Sequence, residues 1–290
     1  MQRKDIAVFQ KKIWVFYKKE GRHNLPWRKT KDSYKILISE VMLQQTQVGR
    51  VLEEYPQFLK VFPNIEALAD ASFADILKTW QGMGYNRRAL ALHRLAKEIV
   101  EKYGGKVPHT RAELETLPGI GPYTAGAILA FAFNKPEIFI ETNIRRVFIH
   151  HFFPRPALSK IPKGGARGYQ PGGSTSKLVR DREILSLVEQ TLDTKNPREW
   201  YWALIDYGAQ LPKIEKINPN KRSKHYTKQS SFKGSLRELR GKIIRTLSKQ
   251  PATFLALKSV SDNDPRTKEA LDALIKDKLI KYEKRKYQIA

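Results

Sequence analysis

Three observations predict an all-α core followed by a small α+β tail. Apolar residues recur at helical spacing in segment after segment as far as residue 209, Gly, Pro and Asn punctuate those segments, and no sustained strand-type alternation appears before the C-terminal region. The first helix is expected over 6–19, where Ile6, Phe9, Ile13, Phe16 and Tyr17 share a face, and Asn24-Leu25-Pro26-Trp27 follows it. Helical periods continue over 34–48, 50–61, 65–69, 73–80, 86–102 and 111–116, separated by Phe62-Pro63-Asn64, Gly82-Met83-Gly84 and Tyr103-Gly104-Gly105. Residues 154–175 are rich in Gly, Pro and positive charge, cannot bury much apolar surface and are expected to be mobile. Helices resume at 181–193 and 197–209, and Lys216 to Lys233 reads as a basic, turn-rich linker. The last stretch, 235–290, reads as a separate unit. Helices at 235–248, 252–257 and 267–277 precede a hairpin of Leu279-Ile280-Lys281-Tyr282 and Lys286-Tyr287-Gln288-Ile289, the order of a winged helix.

Charge narrows the function. The 290 residues carry 54 Lys+Arg against 29 Asp+Glu, a formal net charge of +25, which marks a binder of polyanions with nucleic acid as the leading partner. A basic ribosomal or membrane-surface protein has the same balance, but no apolar run is long enough to span a bilayer and the N-terminus has no secretory pattern. A cytoplasmic, nucleoid-associated place in a prokaryote-like cell is expected. With no cysteine, disulfides, zinc-thiolate sites and cysteine-held iron–sulfur clusters are excluded.

The run Leu117-Pro118-Gly119-Ile120-Gly121-Pro122-Tyr123 suggests how a polyanion is held. Gly119 and Gly121 flank Ile120 in a turn between helices whose backbone N–H groups are expected to point outward, and the helix opening near Tyr123 adds the positive end of its dipole. The alternative is a corner between helices with glycines present for packing alone.

From about Leu25 to Gln210, roughly two thirds of the chain, the sequence carries LPWR (25–28), SEVMLQQTQV (39–48), WQGMGY (80–85), LPGIGPYTAGAI (117–128), ETNIRRV (141–147) and WALIDYGA (202–209) in order. Through these motifs it resembles the helix-hairpin-helix (HhH-GPD) DNA glycosylases, and among them the MutY-like adenine DNA glycosylases. The resemblance implies two helical subdomains with a cleft between them. One is a six-helix barrel over 30–136 with the hairpin at 112–131; the other joins 1–29 to 137–212.

The resemblance also assigns roles. Glu40 is the acid that protonates the leaving purine at N7 and then serves as the base that positions water, a task suited to a carboxylic acid kept protonated near neutral pH. Glu141 stands where the family normally has aspartate; with Asn143 beside it, its expected task is electrostatic support of an oxocarbenium-like sugar or a transient covalent adduct. The extra methylene shifts that charge by about 1.5 Å on an unchanged backbone. Read as structure alone, Glu141 caps the following helix. Tyr123 occupies the slot where bifunctional relatives carry a nucleophilic lysine; tyrosine forms no Schiff base, so a monofunctional enzyme is expected, with Lys160 or Lys163 as opportunistic amines. Gln44, Gln45 and Tyr85 match residues that enter the duplex, and Trp27 and Arg28 match pocket or supporting residues.

Two departures limit the match. Where relatives place four cluster-binding cysteines, this chain reads QLPKIEKINPNKRSKHY (210–226), so the expected cofactor is none, and the 213–234 linker offers Lys221, Arg222 and Lys224 to phosphates. A hairpin of this type often binds a structural cation through carbonyls in related proteins; no catalytic work is assigned to it. The Nudix-like domain by which MutY-like enzymes recognise 8-oxoguanine opposite adenine is likewise not expected in 235–290, which is too short for it. The leading reading is removal of adenine mispaired with 8-oxoguanine or guanine from double-stranded DNA by a monomer. Removal of thymine or uracil opposite guanine and non-catalytic DNA binding remain alternatives.

Overall fold

The computed structural model describes residues 3–153, 178–227 and 231–290. The expected loop at 154–175 lies outside them. In chain order the helices are α1 (Arg3–Glu20), α2 (Ser33–Leu43), α3 (Val48–Val61), α4 (Ile65–Asp70), α5 (Phe73–Thr79), α6 (Arg87–Tyr103), α7 (Arg111–Thr116), α8 (Pro122–Phe133), α9 (Thr142–Phe152), α10 (Asp181–Thr191), α11 (Pro197–Ile214), α12 (Leu236–Leu247), α13 (Phe254–Val260) and α14 (Thr267–Lys276). The strands β1 (Ile280–Glu283) and β2 (Lys286–Ile289) pair antiparallel, with Ile280 opposite Ile289.

Short polar residues start many of these helices. The side chains of Asp32, Asn64, Ser72, Thr110, Ser235 and Thr253 accept from amides in the first turns of α2, α4, α5, α7, α12 and α13, satisfying donors that have no partner within the helix. Gly104, at φ 57°, closes α6 in the left-handed conformation that favours glycine.

The chain divides into two compact units, Met1–His23 with Asn134–Lys228 and Asn24–Phe133 with Gln229–Ala290. In the first, Phe9 of α1 packs against Phe148 and Phe152 of α9 and Trp200 of α11, at ring separations of 5.6, 4.9 and 6.1 Å. Arg22, just after α1, donates through its backbone amide and its side chain to the buried carboxylate of Asp206 on α11, at 2.6 to 2.7 Å. That pairing fixes the end of α1 on α11.

In the second unit, α2 packs on α8, whose Ala125, Ala127 and Ala130 are fully buried and let the backbones approach. Seven helices, not six, lie within 30–136. The C-terminal segment belongs to this same unit rather than standing apart. Its core is Leu239, Ile243, Leu257, Leu271 and Leu274, and a single antiparallel bridge from Ala252 to Tyr287 ties the chain before α13 to β2 in a winged-helix-like form.

The largest departures from the sequence reading are two helix ends and a linker. The helix expected to reach residue 48 stops at Leu43, with Gln45 at φ 53°. The one expected to stop at 209 runs through Pro212 to Ile214. The basic stretch after it is not a free linker: Pro219–Arg222 forms a 3-10 turn packed on α9, and Arg222 O and Lys224 N bond the backbone of Val179 at 2.9 Å each.

On α9, the His151 ring stacks on Tyr207, meets Phe9 edge-on and lies 3.1 Å from the Tyr207 hydroxyl. Burial, with Lys12 and His150 nearby, pulls its pKa from 6.5 to about 4. A folded-state value below the unfolded one gives stability that is intact above pH 6.5 and lost as pH falls towards 4. The ring is partly exposed, so the expected loss is about 1–2 kcal/mol rather than the full linkage value. Denaturant unfolding between pH 7 and 4 should show this slope in the wild type and a flatter one in His151→Gln.

Candidate active site

A carboxylate inside an apolar helix is the starting point. From Tyr34 to Met42 α2 is buried apart from Lys35, and Glu40 is only 5% exposed. Burying a carboxyl among Leu37, Ile38 and Val41 costs several kcal/mol unless it is hydrogen-bonded, so the partners of Glu40 matter. The hydroxyl of Tyr123, in the first turn of α8, donates to Glu40 Oε2 at 3.3 Å. Two clefts in this unit, of about 470 and 390 Å³, are lined by other residues.

The turn leading into α8 has the expected glycines but uses its middle residue differently. Gly119 sits at φ 81°, and a Cβ there would lie 2.9 Å from that of Ala91, so both conformation and close approach require glycine. Nothing lies within 4 Å of where a Gly121 Cβ would be, which leaves its backbone open to an approaching anion. Ile120 is the correction: its side chain is buried and its amide donates to Leu117 O at 3.1 Å, so it shapes the turn and offers no outward donor. Among the described residues the amides of Gly119 and Gly121 have no acceptor.

Two further turns carry the residues expected to enter a duplex. Gln45 and Tyr85 are exposed and adopt φ of 53° and 47°, a conformation that costs a non-glycine residue about 1 kcal/mol or more. Gln44, next to Gln45, donates through Nε2 to Thr124 Oγ1 in α8 at 3.2 Å. One side chain joins both turns. Arg88 donates to the carbonyls of Val41, Met42 and Gln44 at 2.8, 3.0 and 2.6 Å, to Thr46 Oγ1 at 3.0 Å, and to the carbonyls of Met83 and Gly84 at 2.9 and 3.2 Å. Its guanidinium also lies over the Trp80 and Tyr85 rings, 5.3 and 5.6 Å from their centroids. Burial pulls its pKa down to about 10, still charged at neutral pH.

Sequence reading missed Arg88. The available signal was electrostatic: Arg87 and Arg88 open α6 with no acidic residue in its first turn, at the positive end of the dipole, an unfavourable place without outside acceptors. Arg28 is half-buried on the 3-10 turn Pro26–Arg28, beside Trp27, which packs edge-on against Tyr55.

The second carboxylate belongs to the other unit. Glu141 is the N-cap of α9: Oε1 accepts from the amides of Asn143 and Ile144 at 2.6 and 2.8 Å, and Oε2 from the Asn143 side-chain amide at 3.2 Å. The extra methylene is thus taken up by folding the carboxylate back over its own helix. Arg146 holds Asn143 from the other side, donating to Asn143 Oδ1 at 2.8 Å and to Gly208 O at 2.6 Å. Gly208 has no room for a Cβ, which would strike the Asn143 carbonyl, so α11 lies directly on the first turn of α9. Desolvation raises the Glu141 pKa, while the cap amides and the Arg146 and Arg145 guanidinium groups pull the other way.

The segment after α11 supports that turn. Asn220, buried, donates to Thr142 O at 2.9 Å, and Arg222 donates to Phe153 O at the far end of α9. Arg222 is therefore committed to the fold, contrary to its expected role on phosphate, whereas Lys221 and Lys224 are exposed. A cysteine-held cluster does not fit here: the chain has no thiolate to bind it.

Comparison with known proteins places these features in a family. Residues 38–162, from the start of the Glu40 motif through the hairpin and Glu141, match the HhH-GPD superfamily base excision DNA repair protein family. The adenine DNA glycosylase of Mycolicibacterium smegmatis is 31% identical over 90% of this chain and 88% of its own length. The chain belongs to the HhH-GPD superfamily. An adenine DNA glycosylase of Buchnera aphidicola is 46% identical over 70% of this chain but 53% of its own, so the chain spans about half the length of that curated relative. The thymine/uracil-DNA glycosylase of Methanothermobacter thermautotrophicus is 30% identical and covered over 97% of its length. A solved thermostable thymine-DNA glycosylase, 28% identical, aligns with a TM-score of 0.59 over 77% of this chain and 97% of its own. In this HhH-GPD chain the superfamily's helical architecture stands without cysteine.

Arg88→Ala should lower the unfolding free energy by about 3–5 kcal/mol, since it strands several buried carbonyls at once. Arg88→Lys should recover only part of that, its ammonium having three donors. Denaturant midpoints of the two variants test this.

Proposed function

We propose that this protein is a monofunctional DNA glycosylase that hydrolyses the N-glycosidic bond of adenine mispaired with 8-oxoguanine or guanine. The observation that carries the reading is Glu40, a buried carboxyl bonded to Tyr123 at the start of the hairpin's second helix. In the reaction the protonated Glu40 gives its proton to N7 of the extruded adenine. The bond from C1′ to N9 breaks, and its electron pair leaves with the base. Water then adds to C1′, its proton passing to the Glu40 carboxylate, and an abasic site remains. Glu141, ionised, offsets the positive charge on the sugar, and Asn143 and Arg146 hold it in place. Tyr123 supplies no amine, so the strand is left uncut.

Double-stranded DNA is the partner that suits a chain of net charge +25. The amides of Gly119 and Gly121 take a phosphate, Gln45 and Tyr85 enter the stack, and Lys221 and Lys224 add phosphate contacts. The protein acts as a monomer in the cytoplasm and needs no metal for hydrolysis. A second reading, release of thymine or uracil opposite guanine, is favoured by the near full-length match to a thymine/uracil-DNA glycosylase.

Duplexes bearing A·8-oxoG, A·G, T·G and U·G, followed with and without alkaline workup, separate these readings. Adenine release with cleavage only after alkali is expected, reduced at least 1000-fold in Glu40→Gln. Release of thymine or uracil alone selects the second reading. Tight binding with no release from any duplex leaves a DNA-binding protein without catalysis, and borohydride-trapped adducts in quantity contradict the monofunctional assignment.

Glu141 needs a variant that keeps the cap and removes the charge. Glu141→Asn should retain stability within about 1 kcal/mol and lose at least 100-fold in rate, whereas Glu141→Asp should keep most of both. Because desolvation raises the Glu141 pKa, wild-type rate should fall on acidification with a midpoint above the ordinary glutamate value. An unchanged rate in Glu141→Asn assigns Glu141 to the cap alone.

A further inference from the structure

The winged-helix-like segment is fastened to the very turn that carries Tyr85. Arg237, in the first turn of α12, donates through Nη1 to the Tyr85 hydroxyl at 2.6 Å, and its guanidinium lies 5.6 Å from the Tyr85 ring centroid. Arg88 lies at the same 5.6 Å, so the exposed ring has two guanidinium groups against it. A second tie lies nearby. Asp277, closing α14, bonds Arg87 next to the same turn at 3.4 Å and also pairs with Arg240, one turn further along α12 from Arg237. Arg87, Arg237 and Arg240 are thus gathered around one turn, with the Asp277 carboxylate drawing two of them together.

α14, by contrast, is a poor candidate for reading a DNA groove. Its exposed face pairs Lys268 with Asp272 at 3.0 Å and also carries Glu269, and its C-terminal end is occupied by the tie to Arg87. A helix entering the groove as an independent winged-helix reader would present more unopposed positive charge.

We propose that the C-terminal segment is a fixed extension of the duplex-binding surface, which sets Arg237 against a backbone phosphate next to the step entered by Tyr85. The inference rests on the proposed role of Tyr85 in the duplex, and its occupant is double-stranded DNA. Arg237 is a positioning and phosphate-binding residue in this scheme, and Asp277 acts only through the placement of α12.

Binding measurements test this apart from base removal. The probe is a duplex carrying a tetrahydrofuran abasic analogue opposite guanine, titrated with the full chain over a range of salt concentrations. Arg237→Ala should raise Kd about 5- to 10-fold near 0.1 M salt and make the salt dependence shallower by about one ion. Asp277→Asn supplies a test of sign. Net charge alone makes removal of an acid strengthen binding to DNA, whereas loosening the tie should weaken it about 3-fold or more, with Arg87 and Arg240 intact. Thermal unfolding of both variants checks that the segment remains folded. Unchanged affinity and salt slope in Arg237→Ala, or tighter binding in either variant, overturns the proposal; tighter binding in Arg237→Ala makes Arg237 a competitor of DNA for Tyr85. Failure of base release with these binding effects intact counts against the glycosylase reading and leaves this one standing.

Discussion

One guanidinium sets the geometry around Glu40. The last carbonyls of α2 have no partner within the helix and form the negative end of its dipole. Arg88, from a different helix, takes Val41 O and Met42 O and continues to Gln44 O, so it caps α2 from outside. It reaches the second turn through Met83 O and Gly84 O. Glu40 lies one residue before the first of these carbonyls. The helix that carries the acid and both exposed turns therefore share a single anchor. Strain at Gln45 and Tyr85 persists because this anchor overdetermines their backbones.

The second carboxylate is held on a different principle. Glu141 is fixed by the start of its own helix, with Asn143 and Arg146 forming a hydrogen-bonded line to the backbone of Gly208. Amides at a helix N-terminus favour a negative carboxylate. Burial works against it. Asn143, Arg145 and Arg146 counter that burial, which gives Asn143 a physical reason to stand two residues after the acid.

Much of the fold was legible because many helices announce themselves twice, in an apolar stripe and in a capping or breaking residue. Asn64, Ser72, Thr110 and Gly104 mark ends that periodicity alone would leave vague. Reading failed where a distant partner decides the local conformation. Gln44 to Gln47 carry good helix-forming residues, yet Arg88 and Thr124 hold Gln44 out of the helix. Ile120 looked like part of a phosphate grip because its neighbours are glycines; its side chain instead plugs the core. Arg222 and the 213–227 stretch looked solvated by composition, and their acceptors, Phe153 O and the Val179 backbone, lie far away in sequence. The same holds for the C-terminal segment, whose composition marks a separate domain while Arg237 and Asp277 bind it to the turn before α6.

The segment after α11 is held in place without any cysteine. A metal cluster can hold a loop because a few strong bonds replace a core. Here many weaker bonds do that work: α11 runs on to Ile214, Pro219–Arg222 turns back on α9, Asn220 takes Thr142 O and Arg222 takes Phe153 O. Those two carbonyls flank α9 at its first residue and just past its last, so the segment braces the whole helix that carries Glu141 and Asn143. Because the brace is made of amides, carbonyls and one guanidinium, it has no bond that a change of redox state can break. Its exposed lysines, Lys221 and Lys224, are left to point elsewhere. A segment that looks like a charged linker is thereby a rigid support whose buried side makes the fold and whose outer side keeps the charge that a phosphate backbone attracts.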